Sequence, residues 1–355
     1  MQKGRRYLLL IIIFSFLILL FSITTIIINK DGVRFVLPSV SELHTIYIPV
    51  LLKSDQQSPY EKKPIRGVEV YSRPFSEYAE NYNGLILKYT IHFTDIIPEP
   101  LTQPNWTKPD GIFQNDDRRY GGFQGSPSWM NGNQPTCKLP LPEFWNLWAA
   151  IAKEAVSRYD LDYMSVWVEP DVYYIGAEYY FGCIGSDYAS GVEYAEFYNF
   201  VYSAIKSEYP DLQILAGELA DPSQAFFLGF LDTVHEFDGI SFHGYTYCSE
   251  YSYFDISNKI ESIKSLTQDK PVWLSETSVI TSLNENSICY ENSPAVEQLQ
   301  VEHYKIVEQD NRLDGFLWFT LNDSGWRYSS MMRRDRLKPV GCYYNQMNEC
   351  ADFAP

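Results

Sequence analysis

The stretch Met164-Ser165-Val166-Trp167-Val168-Glu169-Pro170-Asp171 decides the fold. Its first residues are apolar and β-branched with no breaker, the pattern of a short buried strand. A carboxylate ends the run, and Pro170 then forbids further pairing. In a parallel α/β fold, side chains just past the carboxyl end of a strand line the ligand crevice. Pro271-Val272-Trp273-Leu274-Ser275-Glu276-Thr277 repeats the arrangement. A (β/α)8 barrel uses about 250 residues, or roughly 31 per unit. The 107 positions between Glu169 and Glu276 therefore cover three units with long loops. Glu169 then ends the fourth strand and Glu276 the seventh, across one mouth. A lone strand-end glutamate more often caps a helix or sits in solvent; two at this spacing point to a site.

Outward from these strands, helical and strand patterns alternate. Strands are expected at 67–71, 85–91, 213–217, 238–243 and 314–319, and helices at 141–159, 192–209, 222–236, 256–266, 294–309 and 339–348. Between Asn105 and Gln124 the pattern fails, where the second helix and third strand belong. The expected fold is thus a TIM barrel over residues 65–355, irregular at that point.

The bulk numbers fit. The chain has 355 residues and 45% hydrophobic content, enough for one such core. A net charge of −17 argues against nucleic acid, which needs clustered Lys and Arg. Leu8 to Ile28 carries no charge and follows Lys3, Arg5 and Arg6; as a helix it spans about 31 Å, the hydrocarbon thickness. Residues 1–30 are expected to be an uncleaved signal anchor, with a cleaved signal peptide as the alternative. Residues 31–64, rich in Pro and polar side chains, read as a linker, which places the barrel outside the cell as an anchored monomer. The six cysteines form no C-x-x-C and have no His pair at metal spacing, so neither metal nor cofactor is expected. Disulfides are, with Cys248–Cys289 between adjacent loops the first choice.

Two carboxylates at one mouth suit glycoside hydrolysis. Tyr245, on the sixth strand, is placed to donate to Glu276. His243 is read as a site residue or, with slightly more weight, a core histidine. Trp318, ending strand eight, is expected to be a platform under a sugar ring, extended by the tyrosines at 173, 174, 179, 180, 247, 251 and 253.

Five segments taken together resemble the retaining glycoside hydrolases built on (β/α)8 barrels, the cellulase and β-xylosidase-like families of bacteria. They are Gly125-Ser126-Pro127-Ser128-Trp129, Trp167 to Asp171, Ser241-Phe242-His243-Gly244-Tyr245, Trp273 to Thr277, and Trp318-Phe319-Thr320-Leu321-Asn322-Asp323. The resemblance implies Glu169 as acid/base, Glu276 as nucleophile and Tyr245 as its hydrogen-bond partner. It also implies a carbohydrate substrate, bound by His243, Trp318, Trp129 and Lys88. Val168 stands where the clan has Asn, and Lys88 is nearest to where it has Arg. These departures, with the 105–124 segment, motivate a second hypothesis, a surface glycan-binding barrel that does not cleave. A structural barrel with a protein partner is a third.

Overall fold

The computed structural model describes residues 25–29, 32–36, 47–48, 63–70, 86–113, 118–172, 184–222, 225–268, 270–321, 329–333 and 336–344. The chain divides into Met1–Glu61 and Lys62–Pro355. In the first unit Thr25–Asn29 pairs antiparallel with Gly32–Val36, which pairs with Tyr47–Ile48. The end of the expected membrane helix, 25–28, is therefore strand, and the expected linker contains two more strands. Residues 8–24 lie outside the described residues. Among the described residues no helix is long and apolar enough to cross a membrane.

The second unit is a closed barrel of eight parallel strands. They are β1 Ile65–Glu69, β2 Ile86–His92, β3 Arg119–Gln124, β4 Tyr163–Val166, β5 Gln213–Leu219, β6 Gly239–Tyr247, β7 Val272–Ile280 and β8 Gly315–Trp318. The helices are α1 Phe93–Ile96, α2 Thr107–Ile112, α3 Trp145–Tyr159, α4 Tyr188–Lys206, α5 Ala225–Thr233, α6 Phe254–Thr267, α7 Pro294–Glu308 and α8 Pro339–Tyr344. The strands read from sequence recur with ends shifted by a few residues. The blank between 105 and 124 resolves into a short helix, α2, and a full strand, β3. Two adjacent glycines and flanking Arg and Gln hide β3 from a hydrophobic pattern. Gly122 has a steric reason: a Cβ there would lie 2.9 Å from Glu218 Oε1.

Strand alternation sorts the side chains. Ile86, Tyr120, Tyr163, Leu215, Trp273 and Leu317 point into the barrel and form an apolar plug near the strands' starts. Their neighbours Leu87, Met164, Ile214, Leu274 and Phe316 face outward into the larger core under the helices. The next inward layer is charged: Lys88 and Glu218 are fully buried and Glu69 nearly so.

Two slips in the alternation aim acids into this layer. In β7 the pairing shifts between Leu274 and Glu276. Without that bulge Glu276 would share the outward parity of Leu274. In β5 the pairing shifts between Ala216 and Glu218, about Gly217 at φ +59°. A bulge inserts one residue and so reverses every side chain beyond it.

Among the cysteines, Cys248 and Cys289 are joined as expected, with Cα atoms 5.6 Å apart. Cys137 and Cys342 are also disulfide-bonded.

Gly122→Ala should cost about 1–3 kcal/mol through overpacking against Glu218. Denaturant midpoints of the variant and parent check this; an unchanged midpoint would mean that the strand shifts freely.

Candidate active site

The site is built around the Lys88 ammonium. Nζ donates to Glu69 Oε2 at 3.1 Å and Glu276 Oε1 at 2.9 Å, and also to Glu218 Oε2. β1, β2, β5 and β7 each supply one member of this set. Glu218 receives further donors from Tyr120 at 3.2 Å and from the Ser165 hydroxyl. Thr90 donates to Glu69 Oε1 at 3.1 Å.

His243, on β6, is the second cation. Nδ1–H donates to Glu169 Oε1 at 2.9 Å and Nε2–H to Glu218 Oε2 at 3.1 Å. Nε2 is also 3.4 Å from Glu276 Oε1. Burial alone would lower its pKa, but the field of Glu276 and the hydrogen bonds to Glu169 and Glu218 raise it to about 10. The ring is then an imidazolium at neutral pH. One imidazole thus bridges Glu169 and Glu276, so these oxygens are at most about 8.5 Å apart. That limit lies within the span of retaining and inverting glycosidases.

Glu276 also accepts from Tyr245 OH. Burial disfavours its charge, yet His243, Lys88 and the Tyr245 hydroxyl outweigh that and hold its pKa at about 2. Lys88 behaves alike: burial opposes the ammonium, while Glu218, Glu276 and Glu69 keep its pKa well above the usual value. Glu69 goes the other way. Burial, reinforced by Glu276 and Glu218 and only partly offset by Lys88, lifts it to about 8. A proton on Glu69 removes one negative charge from the cluster.

Glu169 reaches the site by a distorted path. β4 ends at Val166, and Trp167 and Glu169 then take φ of +77° and +48°. Side chains rarely adopt this region, and such strain collects at functional sites. It is held by reciprocal backbone bonds, Glu169 N to Glu218 O at 2.9 Å and Glu218 N to Trp167 O at 3.2 Å. Asp171, fully buried, accepts from the N–H groups of Ala220 and Asp221 at 2.8 and 2.7 Å. The β4 and β5 ends are thereby tied together. The Glu169 side chain is 19% exposed, against 7% for Glu276 and 0% for Glu218, so Glu169 is the member most open to a ligand.

Glu169, Glu276, Tyr245, His243 and Lys88 therefore converge. The two tryptophans do not. Trp318 follows the inward Leu317, so alternation turns it outward, where it is fully buried against His303 and Tyr304. Its Nε1 donates to Ser329 O at 2.9 Å, and no ring face is left for a sugar. Phe319, one residue on, faces Tyr245 edge-on with centroids 5.9 Å apart. Trp129 packs on Phe144 and donates to Ile97 O at 3.3 Å. Tyr251 and Tyr253 contact His303 and Asp310, while Tyr247 is exposed. Tyr173, Tyr174, Tyr179 and Tyr180 lie outside the described residues. Val168 is buried and its N–H donates to Gln124 Oε1 at 2.8 Å.

Sequence reading missed Glu69 and Glu218. Glu69 lay within the expected first strand, where its inward parity marked it. Glu218 was hidden because Gly217 looked like the end of β5. The donor atoms of Glu218, His243 and Glu276 lie within 4.8 Å of one another, a spacing open to a metal ion. The Lys88 ammonium, bonded to both carboxylates, already places a cation there.

No family model and no curated protein matches the chain. Solved structures do. A GH39 β-xylosidase from Caulobacter crescentus superposes with TM-score 0.62 at 15% identity, over 82% of this chain and 72% of that one. A GH39 enzyme from Xanthomonas axonopodis pv. citri gives 0.59 at 14%, over 81% and 67%. A family 39 glycoside hydrolase from Bacteroides cellulosilyticus WH2 gives 0.56 at 15%, over 89% and 69%. The chain has the eight-stranded parallel barrel of these glycoside hydrolases; at such identity the likeness concerns the fold.

Two outcomes test the electrostatics. Lys88→Met strands buried carboxylates and should cost about 3–5 kcal/mol in denaturant unfolding; a loss below 1 kcal/mol would show the cluster to be wet. The second is pH dependence. Stability from the His243 charge is complete below pH 6.5 and is lost as pH rises through about 10. Stability from the Glu69 proton is complete below 4.5 and lost through about 8. The thermal midpoint should fall across this range, and His243→Gln should flatten the fall above pH 6.5.

Proposed function

We propose that the chain is a retaining glycoside hydrolase with Glu276 as nucleophile and Glu169 as acid/base. One observation carries this: carboxylates just past β4 and within β7 meet across a single imidazole ring. The attacking carboxylate must stay ionised and fixed. Glu276 has two hydrogen-bond donors, Lys88 and Tyr245, with the His243 charge 3.4 Å away, and a depressed pKa. A general acid must reach the leaving oxygen, and of the cluster's carboxylates Glu169 is the most exposed.

In the first step Glu276 attacks the anomeric carbon while Glu169 protonates the departing oxygen. In the second, Glu169 takes a proton from water, which displaces Glu276 from the sugar. Glu69 and Glu218 are too buried to touch substrate; they set the charge on Lys88 and His243. The similar structures, a β-xylosidase and a family 39 glycoside hydrolase, support a carbohydrate substrate. The Cys248–Cys289 disulfide supports an extracytoplasmic location, where such bonds persist. A membrane anchor within residues 1–30 is part of the same proposal.

A second reading has its own observation. Val168 is buried and apolar where the clan's Asn meets the sugar 2-hydroxyl, a contact that strengthens in the transition state. On that reading the barrel binds glycans and does not cut them.

Glu276→Gln should abolish turnover. Glu169→Gln should slow natural glycosides by about 10²-fold or more and spare the first step on activated aryl glycosides. Labelling with activated fluoro-sugars followed by peptide mapping should mark Glu276. Absence of label and of product with every sugar tried would favour the binding protein.

A further inference from the structure

On β6, His243 and Tyr245 both turn inward and touch the candidate catalytic carboxylates. Tyr247 lies two residues further, on the same face, about 6.6 Å outward along the strand. It stands directly above Tyr245, at the rim, and is 58% exposed. The loop after β7, which carries two more exposed apolar side chains, is tied to the chain just beyond it. Ile280 pairs with Tyr247, and the chain returns through a bridge between Ser282 and Tyr290. Cys289 is bonded to Cys248, the residue after Tyr247, and Cys248 Sγ is 4.0 Å from the Ile288 carbonyl oxygen. Ile288 is 82% exposed and Leu283, beside Ser282, is 52% exposed.

Three large exposed apolar side chains on two tied loops beyond the charged cluster offer a surface to an apolar ligand. Two are branched aliphatics, which suit hydrocarbon better than the hydroxylated face of another sugar. We infer that Tyr247, Leu283 and Ile288 form a leaving-group subsite for an apolar aglycone. The substrates would be glycosides of alkyl or similar hydrocarbon groups. The inference rests on the hydrolase reading for the direction of the substrate. The sugar enters toward Glu276 and the aglycone trails over Tyr247, held in place by the disulfide beneath it.

The test uses the full chain and two series of probes, alkyl β-D-xylosides and alkyl β-D-glucosides from methyl to octyl, kept below micelle-forming concentrations. Binding is followed by titration calorimetry and cleavage by sugar release. Each methylene that leaves water tightens binding by up to about fourfold, so octyl should bind at least about tenfold more tightly than methyl. Tyr247→Ser/Ile288→Ser should lose that rise. Leu147→Ser, which removes an exposed apolar side chain from α3 on the barrel flank, should keep it. A flat series, no binding by any member, or a rise that survives in the double variant would overturn the subsite. Affinity that grows with added sugar units instead would also overturn it, in favour of a glycan leaving group. The two readings fail separately. Cleavage with no chain-length dependence removes the subsite and leaves the hydrolase. A chain-length rise lost in the double variant, without cleavage or Glu276 labelling, supports the subsite and removes the hydrolase.

Discussion

A lysine ammonium with no exposed surface, shared by three carboxylates, is the constraint around which this barrel is arranged. Taking an ion out of water costs several kcal/mol, and only close partners with their remaining hydrogen-bonding capacity satisfied offset it. Lys88 therefore requires Glu69, Glu218 and Glu276 at once, and they in turn require Thr90, Tyr120, Ser165, His243 and Tyr245. Members come from seven consecutive strands of the closed sheet, β1 to β7. Few substitutions here are local, because each removed partner leaves a buried charge unpaired. The apolar plug below, with Trp273 and Tyr163 at its centre, closes the other end.

Backbone irregularity does the aiming. A regular strand alternates, so an acid reaches the interior only at the right parity. β1 and β2 obtain it with no distortion, and Glu69 and Lys88 sit on plain strand. β5 and β7 each insert one residue, and the chain leaving β4 passes through two left-handed residues, Trp167 and Glu169. The distortions support one another: Glu169 and Trp167 bond to the backbone of Glu218 just past the β5 slip. Strain at one strand end is thus balanced by hydrogen bonds from the next.

These features explain what was legible in the sequence. Apolar strands with terminal glutamates are visible as composition, so β4, β7, Glu169 and Glu276 could be read, and the spacing put them across one mouth. Tyr245 followed from its place on the neighbouring strand. β3 was invisible because Gly121 and Gly122 replace the expected branched residues, and the reason for Gly122 is Glu218, an atom of another strand. Trp318 was misread because its aromatic character was weighed and its parity was not: it is buried, and the adjacent Phe319 meets Tyr245. Glu218 was lost by taking Gly217 as a strand end, when it is the residue about which the strand slips and continues.

The same electrostatics bear on whether such a cleft is built to cut or only to hold. A binding surface for neutral sugars works through aromatic faces and neutral hydrogen-bonding groups, which need no buried ions. Here four carboxyl groups and two cations crowd one cluster, and the charge is unequally distributed. Glu276 is kept ionised against its own burial, while Glu69 retains a proton. Environments that drive neighbouring carboxyls apart in pKa serve acid–base and nucleophilic chemistry. On the proposed hydrolase reading, Val168 would remove one contact to the sugar. The pinned, ionised Glu276 is untouched by that change, and on that reading it is the feature that favours cutting over holding.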